Sequence, residues 1–326
     1  MSARLSDYDY CLPRELIAQR PPEHRGDSRL MVLHPDTHEI EHRRFDELKA
    51  FLQEGDLLVL NDTQVLPARR FSDDGAIEFL FLERLGPCRW KCFVSPGRKM
   101  RVGATAEIGN VTLSVDEITP EGERIVVLNR DIDPYSGGSM PLPPYIRRDS
   151  DTDDTARYQT VFAQTPGALA APTAGLHFTP EILGRIPHTF ITLHVGTGTF
   201  LPVRSETVTD HRMHAERFSI SHSAAGKINS AQRIVAVGTT VVRVLESARR
   251  TEGKLVGQKG STDIFIYPPY RFRAVDILLT NFHLPRSTLL MLVSAFAGRE
   301  FLLHAYQEAI GERYRFYSYG DCMLIF

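Results

Sequence analysis

The run Arg233-Ile234-Val235-Ala236-Val237-Gly238-Thr239-Thr240-Val241-Val242-Arg243-Val244-Leu245-Glu246-Ser247-Ala248-Arg249 decides the fold class. Residues 233–237, four β-branched or small apolar residues after Arg233, read as a buried strand, and residues 241–249 read as a helix. Gly238-Thr239-Thr240 joins them with no room for a long loop. A strand, a glycine turn and a helix in immediate succession are one α/β unit. The threonine hydroxyls can cap the helix, and its first free backbone N–H groups form a site for an anion such as a carboxylate.

Outward from this unit the alternation continues. Phe190 to Val195 and Ala274 to Leu279 are expected strands. Thr179-Pro180-Glu181 opens a helix, Ser287 to Phe296 is a helix closed by Gly298, and Phe301 to Ile310 is another closed by Gly311. Toward the N-terminus, Pro13 opens a short helix, Leu30 to Leu33 is an apolar run, and Phe45, Leu48, Phe51 and Leu52 recur at helical spacing before Gly55-Asp56. Leu57 to Leu60 is a buried strand.

Residues 64–149 have a different texture. Short β-like runs at 76–81, 90–94, 105–108, 111–115 and 124–128 are separated by Pro-Gly, Gly-Asn and Glu-Gly turns, the pattern of a small barrel or sandwich. A proline-rich strap through Pro141-Leu142-Pro143-Pro144 returns the chain. The expected architecture is a discontinuous, barrel-like α/β main domain, residues 1–63 and 150–326, carrying an inserted small β-barrel domain, residues 64–149.

Composition bounds the function. The chain has 326 residues, enough for two domains, with 42% hydrophobic and 24% charged residues as in ordinary soluble proteins. Residues 1–9 carry acids and no apolar core, so neither a signal nor a transit peptide is expected, and a cytoplasmic protein is. Four scattered cysteines argue against a disulfide framework. A net charge of −2 gives no global attraction to nucleic acid, so any RNA contact must come from a local patch.

Chemistry concentrates between residues 171 and 216. Ala171-Pro172-Thr173-Ala174-Gly175-Leu176-His177, Leu193-His194-Val195-Gly196-Thr197-Gly198 and His211-Arg212-Met213-His214-Ala215-Glu216 set four histidines and a glutamate beside glycine turns. Glycine lets a ligand approach the backbone, and imidazole moves protons near neutral pH. His177, His194, His214 and Glu216 are the candidate catalytic groups. Within one strand His214, Glu216 and Phe218 would share a face.

These motifs resemble those of the S-adenosylmethionine:tRNA ribosyltransferase-isomerase family of queuosine biosynthesis. The likeness continues in Asn61-Asp62-Thr63-Gln64-Val65-Leu66-Pro67-Ala68-Arg69, where Gln64 stands at a position usually Arg in that family. It runs on through Gly238-Thr239-Thr240, Thr262-Asp263-Ile264-Phe265-Ile266-Tyr267-Pro268, Asn281-Phe282-His283-Leu284-Pro285-Arg286 and Phe316-Tyr317-Ser318-Tyr319-Gly320-Asp321.

The resemblance implies transfer and isomerisation of the ribosyl group of S-adenosylmethionine onto 7-aminomethyl-7-deazaguanine (preQ1) at the tRNA wobble position, giving epoxyqueuosine-tRNA, adenine and methionine. S-adenosylmethionine is then a consumed substrate, with no cofactor and no metal. The partner is the tRNA anticodon loop carrying preQ1, with no membrane and no obligate protein partner, and the enzyme is a monomer. It further implies substrate contacts at Ser28, Arg29, Asn61, Asp62, Thr63, Thr173, Gly175, Gly196, Gly198, Thr239, Thr240, Asp263, Tyr267, Asn281, His283, Tyr319 and Asp321.

Three rival readings exist. A methyltransferase needs a glycine loop running into a helix, and Pro202 follows Gly196-Thr197-Gly198 too closely for that. A metal-dependent hydrolase would use the histidines, but His211 and His214 are loosely spaced and no His-Glu-x-x-His motif occurs. A tRNA-binding protein without catalysis leaves the polar residues beside the glycine turns unexplained.

Overall fold

A computed structural model describes residues 4–196, 198 and 206–326. Thr197, Thr199 and Phe200 of the glycine turn lie outside the described residues, as does Pro202. The chain divides into two compact units, residues 1–64, 143–148 and 157–326 forming one and residues 65–142 and 149–156 the other.

The larger unit is built on a mixed sheet whose nine strands, in chain order, are β1 (Arg29–His34), β2 (Glu39–Arg44), β3 (Asp56–Asn61), β4 (His188–Leu193), β5 (Glu216–Ile220), β6 (Arg233–Val237), β7 (Gln258–Thr262), β8 (Ile277–Asn281) and β9 (Cys322–Ile325). Their spatial order is β7-β5-β4-β3-β6-β8-β9-β1-β2. The four central strands β4, β3, β6 and β8 run parallel, with Ile191 beside Asn61, Val235 beside Leu58 and Val237 beside Leu279. Strand β9 runs against β8 and along β1, and β5 and β7 complete the other side antiparallel.

Side chains alternate between the two faces, as the two-residue period of a strand demands. Met31, Leu33, Val59, Ala236 and Leu278 enter one core with Val241, Val244, Leu245, Leu290, Val293 and Leu302. These last residues lie on the helices α2 (Thr239–Ser247), α3 (Thr288–Ala297) and α4 (Arg299–Gly311), which follow α1 (His222–Ser230) in the chain. Leu30, Val32, Leu58, Leu60, Val235, Val237 and Leu279 face the other core, closed by Phe45, Leu48, Phe178 and Leu183. Parallel strands buried on both faces account for the nearly continuous apolar runs in the sequence.

Several elements differ from the sequence expectation. The helix expected to open at Pro13 is a three-residue 3₁₀ turn, Arg14–Leu16, and Thr179 caps a helix of only four residues, Pro180–Leu183. Strand β5 begins at Glu216, so His214 precedes it and does not share its face, while Glu216 and Phe218 do alternate inward. Among the described residues no single helix is long and apolar enough to cross a membrane.

The smaller unit holds an antiparallel six-stranded sheet, ordered 69–71, 78–86, 89–95, 124–128, 111–118 and 105–108. Phe79, Phe81, Trp90, Cys92, Leu113 and Val126 form its core.

Candidate active site

Strand direction gathers the distant motifs on one edge of the large sheet. The parallel strands end there in Asn61-Asp62-Thr63 after β3, His194-Val195-Gly196 after β4, Gly238-Thr239-Thr240 after β6 and Asn281-Phe282-His283 after β8. Asn281 pairs with Cys322 and Leu30 pairs with Cys322, so Asp321, Ser28 and Arg29 lie at the same edge. Glu216 opens β5 opposite Thr262, which brings Asp263 there as well. Ligands of α/β proteins bind outside the carboxyl ends of parallel strands for this reason: short turns there present polar groups above a rigid sheet.

A cavity of about 470 Å3 opens beside this edge, lined by Thr173, Thr239, Thr240, Asn281 and His283 of the expected contacts, together with Arg243, Tyr145, Tyr158 and Tyr317. Its size lies within the roughly 300–1,000 Å3 of small-molecule sites. Three polar side chains at its wall are buried and keep atoms without a hydrogen bond among the described residues: Thr240 Oγ1, Asn281 Oδ1, and Nε and Nη1 of Arg243.

His177 sits outside this cavity in a smaller one with Ser28, Tyr319 and Arg25. Its Nδ1 lies 2.8 Å from Ser28 Oγ and its Nε2 lies 3.2 Å from Asn281 Nδ2. An amide nitrogen only donates, so Nε2 accepts and the neutral ring carries its proton on Nδ1, donating to Ser28. Burial pushes the His177 pKa down to about 4, against the smaller upward effect of Asn281. The same Asn281 amide also donates to the carbonyls of Tyr317 and Asp321, at 3.1 and 3.3 Å. Asn281 thus joins the cavity to the imidazole behind it.

His283 reaches Thr280 Oγ1 at 2.9 Å through Nε2, its backbone N–H donates to Tyr306 Oη, and its carbonyl accepts from Tyr10. Burial alone lowers its pKa to about 3. Both imidazoles are therefore neutral at pH 7. His194, partly buried after β4, shares a 2.8 Å hydrogen bond with Thr63 through Nδ1. Burial, then the charge of Arg217, lowers its pKa.

The remaining residues divide by what they touch. Asn61 spends its side chain on β4, donating to Leu193 O and accepting from Leu193 N, both at 2.9 Å, and from Thr63 N. Asp62 accepts from Thr192 Oγ1 at 2.6 Å, and burial raises its pKa. Asp321 accepts from the backbone N–H groups of Arg29 and Arg315, while burial raises its pKa, and the Arg29 guanidinium lies 3.7 Å from the Tyr314 ring centre. These groups hold the edge together. Gly175 packs so closely on Phe162 and Thr160 that a Cβ would meet them at 2.8 Å. Tyr319 stands edge-on to Tyr158, and Tyr267 lies 4.8 Å from Phe265. Asp263 and His214 are exposed, and a Cβ on Gly198 would meet the His214 ring. Gly196 donates its N–H to Glu216 Oε1 at 2.9 Å, and Glu216 Oε2 forms a buried ion pair with Arg243.

Arg243 was not among the expected site residues. Its signal is present in the sequence: a single cation inside the apolar run Val241-Val242-Arg243-Val244-Leu245, three residues after Thr240 and so on the same helical face. Among the described residues no group of three or more metal-ligating side chains converges.

A family described as queuosine biosynthesis protein matches residues 5–325. The chain belongs to that family. It is 49% identical to the S-adenosylmethionine:tRNA ribosyltransferase-isomerase of Moorella thermoacetica and 46% identical to that of Natranaerobius thermophilus, in each case over 99% of both chains. It is also similar to a crystal structure of S-adenosylmethionine tRNA ribosyltransferase from Thermotoga maritima, with a TM-score of 0.57 and 40% identity over 98% of this chain and 100% of that one. Of the family motifs quoted from the sequence, Asn61-Asp62-Thr63, Gly238-Thr239-Thr240, Asn281-Phe282-His283 and Asp321 lie at the sheet edge.

Proposed function

We propose that the protein is an S-adenosylmethionine:tRNA ribosyltransferase-isomerase that moves the ribosyl group of S-adenosylmethionine onto the aminomethyl group of preQ1 in the tRNA anticodon loop. Adenine and methionine leave, and the isomerised ribosyl group remains on the base as epoxyqueuosine. The observation that carries this reading is the cavity at the carboxyl edge of the parallel strands, whose wall offers Thr240, Arg243 and Asn281 with unspent hydrogen-bonding atoms. The full-length family match supports it.

Three proton transfers are required. The carbon beside the sulfonium loses a proton, adenine departs with acid assistance, and the substrate amine, an alkylammonium with a pKa of roughly 10 in water, loses its proton before attacking. We assign these to the imidazoles of His177, His194 and His214, with Glu216, held by Gly196 and Arg243, as the fourth candidate. His177 is neutral, and its Nε2 faces the Asn281 amide that links it to the cavity. Thr173, Thr239, Thr240, Asn281 and His283 take the S-adenosylmethionine. Ser28, Arg29, Asn61, Asp62, Thr63, Gly175, Gly196, Gly198, Tyr319 and Asp321 shape the edge, and Asp263 and Tyr267 border it.

The same proposal takes residues 1–63 and 150–326 as a barrel-like catalytic domain and 64–149 as an inserted small β-barrel. The antiparallel series of six strands supports the second part. No cofactor, metal or protein partner enters the reaction, and the setting is cytoplasmic.

The test is product analysis with purified protein, S-adenosylmethionine and preQ1-containing tRNA. Adenine and methionine are expected in equal amounts and only with the modified tRNA. S-adenosylhomocysteine as the product would instead show methyl transfer.

A further inference from the structure

We propose that Arg243 and the first turn of α2 form a subsite for the α-carboxylate of an amino acid, here the methionine end of S-adenosylmethionine, and that Glu216 is the positioning residue for Arg243. The identity of the guest rests on the function proposed above; the subsite itself rests on the following geometry.

Helix α2 has nine residues and follows Gly238, its N-cap, with no side-chain cap hydrogen bond. Val241 and Val242 donate to the Gly238 carbonyl, so the N–H groups of Thr239 and Thr240 precede the first intrahelical bonds and face outward from the helix start. Thr240 Oγ1 beside them makes no hydrogen bond among the described residues. One turn further, Arg243 is only 3% exposed and lines the same cavity as Gly238, Thr239 and Thr240. One of its terminal nitrogens is held by Glu216, while Nε and Nη1 have no partner among the described residues. Buried guanidinium N–H groups are costly to leave unmet, so a ligand that accepts from them is favoured.

The charge balance selects the ligand class. Glu216 already neutralises Arg243, so what remains is the partial positive end of α2 and a set of oriented donors. That suits one monoanionic carboxylate and does not suit a dianionic phosphate. Asn281 Oδ1, an acceptor without a partner among the described residues, belongs to a residue that lines the same cavity and suits the neighbouring ammonium of an amino acid. Glu216 does not line the cavity among the described residues; its carboxylate, anchored by the Gly196 N–H, acts by fixing the guanidinium.

The experiment compares equilibrium binding of S-adenosylmethionine with that of its decarboxylated analogue, which keeps the sulfonium, ribose and adenine. The unaltered protein is expected to bind the first about 10²-fold more tightly, the discrimination typical of buried charged hydrogen bonds. Arg243→Lys should weaken S-adenosylmethionine by about tenfold or more and bring the two ligands within a few-fold of each other, since an ammonium does not reproduce the guanidinium fork. Glu216→Gln should place more of its loss in KM for S-adenosylmethionine than in kcat. Equal affinity of the unaltered protein for both ligands would overturn the proposal, as would an Arg243→Lys protein that weakens both equally. Where a variant fails to fold, equal affinity of the unaltered protein for the two ligands still overturns the proposal. Absence of adenine release would remove the enzymatic reading and leave the binding ratio as the measure of the subsite.

Discussion

Acidification should unfold the large unit through two imidazoles at its site edge. His177 and His283 are both buried, with pKa values pushed down to about 4 and about 3 from an ordinary 6.5. The unfolded chain therefore binds protons that the folded chain refuses, and the stability tied to the neutral rings is complete above pH 6.5 and lost as pH falls toward the folded values. At pH 5 an unfolded imidazole with pKa 6.5 favours its protonated form about 30-fold, which costs the folded state about 2 kcal/mol for each ring and about 4 kcal/mol for the pair. Buried carboxyls such as Asp62 and Asp321, raised by burial, act in the opposite direction. A double variant, His177→Gln with His283→Gln, separates the two effects.

The assay is urea unfolding followed by circular dichroism at pH 8 and pH 5. Fluorescence would not serve, because the one tryptophan, Trp90, belongs to the other unit. The drop in unfolding free energy between the two pH values should be about 4 kcal/mol larger for the unaltered protein than for the double variant. A difference below about 1 kcal/mol, or of opposite sign, would refute the claim that both rings are held neutral.

Further outcomes follow from single contacts. Asn281→Leu strips His177 Nε2 and the carbonyls of Tyr317 and Asp321 of their donor, and should cost about 1–3 kcal/mol in denaturant unfolding along with binding of S-adenosylmethionine. Gly238→Ala has room for its methyl, 3.5 Å from the nearest atom, but a φ of +93°; a loss of about 1–3 kcal/mol with the cavity disturbed is expected, and an unchanged melting temperature would contradict it. Replacing His177, His194 or His214 by Ala should each slow adenine release about 10²-fold or more in a folded protein. Rates within a few-fold of the parent for all three would move proton transfer to Asp263, His283 or Asp321. Activity should survive treatment with EDTA, and loss restored by zinc or iron would revive the hydrolase reading.

The strands that bury both faces were legible, and Arg233–Val237 was read to the residue, because continuous apolar runs between glycine turns leave little choice. Strand β7, Gln258–Thr262, is mostly exposed and polar, and α1 mixes His, Lys, Asn and Ser with few apolar residues, so neither carried a periodic signal. Strand β2, charged and half-exposed at the sheet edge, was hidden for the same reason. At the site, the residue types were legible but their division of labour was not. Asn61 and Asp321 look like ligand contacts in a linear motif, yet their oxygens are spent on backbone N–H groups of the neighbouring strand or of the opposite end of the chain. Only the register of β8 against β9 and of β4 beside β3 shows this. Arg243 stands out in the sequence as a cation in an apolar run, but its partner does not, because Glu216 lies 27 residues earlier on strand β5.

The most direct measurement of the central claim follows the carbon atoms of S-adenosylmethionine in a single turnover with preQ1-containing tRNA. Label placed in the ribose should move onto the tRNA in a one-to-one ratio with released adenine, while label placed in the methyl group should leave with methionine. Methyl label on the tRNA with ribose label remaining in a released nucleoside would contradict the account.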